Sequence, residues 1–130
     1  MPSITPIGNI QYTQTELALI NELKQKNYDA IQSQNKKDYY QAYLTYQEII
    51  KIINNLPSEC RHLPLIQRHE AHAYHGVATC FKEWGLIEKN KDDIKQLNLF
   101  FVAYHNIEKA TATAPENDNW SAPHLVDTFL

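Results

Sequence analysis

Asp38-Tyr39-Tyr40-Gln41-Ala42-Tyr43-Leu44-Thr45-Tyr46-Gln47-Glu48-Ile49-Ile50-Lys51-Ile52-Ile53 reads as one α-helix from end to end. Asp38 can accept a hydrogen bond from the first turn, and Gln41 three residues on strengthens the start signal. Tyr39, Ala42, Tyr43, Tyr46, Ile49, Ile50 and Ile53 recur at the period of a single buried helical face. Asn54-Asn55-Leu56-Pro57 closes the segment. A chain whose clearest stretch is this one is expected to be all-α.

Upstream, Thr13 and Glu16 have capping-box spacing and open a preceding helix. Leu17, Ile20, Leu23 and Ile31 form its apolar stripe, with Asn27-Tyr28 expected to weaken the middle. The polar run Gln32 to Lys37 ends it. Residues 1–12, with Pro2, Pro6 and Gly8, are an extended lead-in, and residues 13–130 are read as one helical domain. Downstream, Ser58 to Leu63 is a connection and Pro64 suits the first turn of a third helix. That helix carries Ile66, Ala73, Tyr74, Val77, Ala78, Phe81 and Trp84, and is bounded by Gly85 and the charged stretch from Glu88 to Asp93. A fourth is expected to bury Ile94, Leu97, Phe101, Tyr104, Ile107 and Ala110 and to stop at Pro115. The tail, with Trp120, Leu125, Val126 and Phe129, is read as a short fifth helix packing back. No strand pair or hairpin signal is present.

Composition agrees. The 130 residues include only 3 Gly and 6 Pro, too few chain-turning residues for a β-sandwich. Hydrophobic content is 43%, enough for a core without staples. The net charge is −3, and the 12 bases are scattered rather than gathered on a face, which excludes a nucleic-acid partner. The longest apolar run, Leu99 to Tyr104, is far short of the roughly 20 residues of a membrane span. Residues 1–14 hold no secretory signal of the usual type, so a cytoplasmic location is expected, with delivery by a specialised secretion system left open. Cys60 and Cys80 are too few for a disulfide framework or a zinc ribbon and are expected to be reduced.

The helices echo one another. Ala42, Tyr46 and Ile49 are matched by Ala103, Ile107 and Ala110, followed by Pro115, and Gly76 is a small residue in the helix between them. This pattern resembles the tetratricopeptide-repeat family, whose antiparallel helix pairs stack with a small residue of one helix facing an alanine of the next. Trp120 fits the opening of a further repeat, and Ala30 is a counterpart of Gly76. The spacing departs from the family: Ala42 and Ala103 are 61 positions apart where the repeat is about 34. The resemblance implies about two irregular repeats, that is, four to five helices in stacked hairpins. It further implies a concave surface to which one inner helix contributes Asn27, Ile31, Gln34 and Asn35 and the other Ala73, Val77, Cys80 and Phe81. The second set is too apolar to face water, so the tail, a partner or a second copy of the chain is expected to cover it.

Two other clusters bear on function. Tyr39, Tyr43 and Tyr46 share a stripe, and tyrosine suits both cores and interfaces. His69, His72 and His75, spaced by three, could turn adjacent imidazoles toward one ligand. They lack the two-His, one-Glu spacing of a metalloprotease helix and would need His62 or His105 to complete a metal site. No nucleophile elbow or phosphate-binding glycine loop occurs. The expectation is a non-enzymatic adaptor without cofactor that holds a peptide or helix of a protein partner, through Asn27, Ile31, Gln34, Asn35, Tyr39, Tyr43, Ala73, Val77 and Phe81. Homodimerisation is also expected, because two repeats are few for a stable stack. The alternatives are a small His-based or metal-dependent enzyme, and a secretion chaperone or inhibitor of one bacterial effector. Ile-, Lys- and Asn-rich usage points to an AT-rich bacterial genome.

Overall fold

A computed structural model describes residues 11–87 and 93–113. These form α1 (Gln14–Asn35), α2 (Tyr39–Asn54), the single turn α3 (Ser58–Arg61), α4 (Pro64–Ile87) and α5 (Asp93–Thr113). The described residues contain no strand, so the chain is all-α, built of antiparallel helical hairpins. The expectations for residues 1–10, Pro115 and the tail from Glu116 onward lie outside the described residues.

Local chemistry sets most of the boundaries. At the start of α1 the Thr13 N–H donates to Glu16 Oε1 (2.8 Å) and the Glu16 N–H donates to Thr13 Oγ1 (3.1 Å). This reciprocal pair satisfies two donors that a helix start would leave orphaned. The other end closes with the Asp38 N–H on Ser33 O and the Lys37 N–H on Gln34 O, both 2.9 Å. That bond pair needs a left-handed residue, and Lys37 supplies it at φ 65°. Asp38 then caps α2 by accepting from the Gln41 N–H at 3.2 Å. The turn is so tight that α2 must fold back along α1. Pro64 opens α4, and Tyr12 Oη accepts the otherwise orphaned Leu65 N–H at 3.3 Å, tying the chain before α1 to the first turn of α4.

α4 is the central helix. One side carries Ile66, Ala73, Val77 and Cys80, which join Ile20, Leu23 and Ala30 of α1 and Ala42, Tyr46, Ile49, Ile50 and Ile53 of α2 in one buried cluster. A different side carries Ala71, Ala78 and Gly85, buried at seven-residue spacing, and here α5 packs with Leu99, Ala103 and Ala110. Small residues let the two helices approach closely. A Cβ at Gly85 would lie 2.5 Å from Phe100 Cε1, so only glycine admits that ring.

Three expectations need correction. Gly85 is not a boundary: it is buried inside α4, which runs on to Ile87. Asn27-Tyr28 does not weaken α1, which is unbroken. The buried face of α5 is not the one carrying Leu97, Phe101 and Tyr104. Those three are 59%, 56% and 53% exposed, while Leu99, Ala103, Asn106 and Ala110 are buried. The two sets differ by two positions, a rotation of about 200°. α5 is apolar on both sides, and the tighter fit to α4 goes to the side with two alanines. Gly76 and Ala103, the two small contact residues, both lie in the interior.

Candidate functional site

A cleft of about 290 Å³ runs between α1 and α4. Asn27, Ile31, Gln34 and Asn35 line it from α1, and His72, His75, Gly76 and Thr79 from α4, with Tyr46 of α2 at its base. The α1 residues recur at four, three and one positions and so occupy one narrow arc of the helix. Leu17 and Tyr28, both exposed, fall close to the same arc and extend it with apolar surface.

The base depends on a missing side chain. A Cβ on Gly76 would overlap the Tyr46 ring, so glycine here lets the ring lie flat against the α4 backbone. Tyr46 is 3% exposed, and its Oη donates to Gln34 Oε1 at 3.0 Å. One residue of α2 thus passes beneath α4 to fix a residue of α1. Burial pushes the Tyr46 phenol well above its ordinary pKa, so it stays protonated and remains a donor. On the opposite wall the Thr79 hydroxyl donates to His75 O at 3.0 Å.

Of the residues expected at a concave surface, Asn27, Ile31, Gln34 and Asn35 are together in this cleft. Ala73, Val77 and Cys80 are not: all three are buried in the core, covered by α1 and α2 of the same chain. The residues actually facing the cleft, His72, Gly76 and Thr79, each stand one position earlier, a rotation of about 100°. The polar sequence Arg68, His72, His75, Thr79, spaced by four, three and four, was the signal for the outward side of α4. Phe81 is half-buried against Tyr43, the rings edge-on with centroids 5.2 Å apart. Tyr39 and Tyr43 likewise pack against the core, away from the cleft.

The histidines do not act as one group. His69 is buried, its ring centroid 6.2 Å from that of His72. Its Nδ1 has no hydrogen-bond partner among the described residues. Burial first, then the positive charges of Lys24 and Arg68, lower its pKa to about 4, so it is neutral at pH 7. His62 borders a separate polar cleft with Arg61 and Glu70, and His105 lies on α5 beside Glu108 at 3.4 Å. Among the described residues, no three His, Cys, Asp or Glu side chains are placed to hold a metal ion. Burial raises the Cys80 thiol to about 12, which keeps it protonated.

No family model, curated protein or solved structure matches this chain. No described helix is long and apolar enough to cross a membrane.

Proposed function

We propose that the chain is a protein-interaction module, tetratricopeptide-like in its two stacked hairpins, and that an extended peptide segment of a partner lies in the α1–α4 cleft. The observation that carries this reading is the make-up of the cleft: three carboxamides, two imidazoles, a threonine hydroxyl and a tyrosine hydroxyl, with neither carboxylate nor thiol among the lining residues. Carboxamides both donate and accept, as a peptide main chain does, and such a lining favours holding a chain over cleaving one. The volume sits at the lower limit of small-molecule sites and suits a short stretch of chain entering and leaving at the open ends. A chaperone or inhibitor of one bacterial effector would use the same surface and differ only in the protein held.

An array of random decapeptides probed with the labelled chain tests this. A subset should bind, and Asn27→Ala or Asn35→Ala should weaken the best of them about tenfold, the effect of losing one or two buried hydrogen bonds. Tyr40→Ala, exposed and outside the cleft, should change nothing. Failure of every peptide to bind would overturn the reading.

A second reading concerns α5. Its outer face exposes Leu97, Phe101 and Tyr104 directly opposite the face that packs on α4, and this favours self-association. These side chains present on the order of 300 Å² of exposed surface, against about 800 Å² per partner in a stable complex. Association through them should therefore be weak. Light scattering is expected to show an apparent mass that rises with concentration, and Phe101→Glu should hold it at the monomer value. A wild-type chain that stays monomeric at about 1 mM would exclude this association.

A further inference from the structure

Two hydrogen bonds in the cleft leave one residue on each wall with opposite polarity. On α1, Gln34 has its carbonyl oxygen taken by the Tyr46 hydroxyl at 3.0 Å. With the oxygen end of the amide held by Tyr46, the opposite end, the amino group, is the one Gln34 turns to a ligand, and it can only donate. On α4, the Thr79 hydroxyl has given its proton to His75 O at 3.0 Å. What Thr79 has left is an oxygen lone pair, which can only accept. Within one trans peptide unit the C=O and the N–H point to opposite sides of the chain. A Gln34 donor on one wall and a Thr79 acceptor on the other match the two ends of one such unit.

We infer that the cleft reads a peptide unit of its partner: the partner's carbonyl oxygen is received by the Gln34 amino group, which Tyr46 holds in place, and its N–H by Thr79 Oγ1. This deepens the peptide-binding reading and rests on it. Tyr46 is then a positioning residue. Its ring reaches Gln34 only because Gly76 leaves room beneath α4, and without its hydroxyl the Gln34 amide would be free to turn either end to the cleft.

The probe is the tightest decapeptide from the random array, together with its single amide-to-ester analogues, in which one N–H is lost and the neighbouring carbonyl weakened. With the wild-type chain, one ester position should lower affinity about tenfold. Gln34→Glu keeps an acceptor for Tyr46 but turns an oxygen toward the ligand carbonyl, so it should lower affinity at least tenfold. Thr79→Val should weaken the parent peptide and make it insensitive to the ester at that one position. Tyr46→Phe should weaken binding severalfold in the wild-type background and have no further effect once Gln34→Ala is present, whereas a purely structural role would add to the Gln34→Ala loss. If no array peptide binds the wild type, the peptide-binding reading falls and this inference with it. If peptides bind and Gln34→Glu leaves affinity unchanged, or all ester positions are equivalent, this inference alone is overturned. Additive losses for Tyr46→Phe and Gln34→Ala would remove the positioning role of Tyr46.

Discussion

A valine at position 76 is expected to destabilise the fold by about 3 kcal/mol and to lower the thermal midpoint by roughly 10 °C. The Cβ alone would overlap the Tyr46 ring, which is 3% exposed and bonded to Gln34. To clear the new side chain, either the ring swings toward the cleft and leaves a void or α4 shifts away from α2. Overpacking of this kind costs about 1–3 kcal/mol. Loss of the Tyr46–Gln34 bond adds about 1 kcal/mol. The better helix propensity of valine over glycine returns only a few tenths. Urea denaturation of Gly76→Val measures the total, and a second variant assigns it. In a Tyr46→Leu background, with the ring removed, the valine should cost less than about 1 kcal/mol. A penalty unchanged in that background would locate the strain elsewhere on α4. Because the same ring fixes Gln34, Gly76→Val should also lose peptide binding.

Helix starts were legible in the sequence, and helix rotation only where one side alone is apolar, and the two differ for a physical reason. Thr13 with Glu16, Asp38 with Gln41, and Pro64 act over three or four residues, so the chain itself holds all the information that starts α1, α2 and α4. Rotation is decided by neighbours. On α2 the apolar positions cover one side only, and the expected face is the buried one. On α4 and α5 apolar residues occur nearly all round. On α4, Ala71, Ala78 and Gly85 face α5 while Ala73, Val77 and Cys80 face the α1–α2 hairpin. A central helix flanked by two partners has no single stripe, so the cleft residues of α4 were expected one position late. The α1 side of the cleft was expected only through the repeat resemblance, which set Asn27, Ile31, Gln34 and Asn35 on one concave surface. The Tyr46–Gln34 bond joins residues 12 apart on different helices, and no local pattern announces it.

Acid should weaken the fold at His69. His69 has an ordinary pKa of 6.5 that falls to about 4 in the folded chain, chiefly by burial and secondarily by Lys24 and Arg68. Between those values the unfolded chain binds a proton that the folded chain refuses, so stability rises with pH across the window. The contribution is complete above about pH 6.5 and is lost as pH falls toward 4. A shift of this size corresponds to about 3 kcal/mol at most, and to about 2 kcal/mol once the partial access of solvent to the seam is allowed for. Glu70 acts in the opposite sense. Burial raises its pKa from 4.5 against the pull of Arg61, so its share is complete below pH 4.5 and fades as pH rises through the folded value. His69→Leu separates the two. It removes the buried imidazole, together with an Nδ1 that no described residue satisfies, and leaves Glu70 in place. The difference in unfolding free energy between His69→Leu and the parent should therefore grow in favour of the variant as pH falls from 6.5 to 4. High salt should reduce that growth only slightly, since it screens Lys24 and Arg68 but not the burial that dominates. A difference that stays constant with pH would mean that His69 accepts its proton as readily in the folded chain as in water, and that the seam between α1 and α4 is wet.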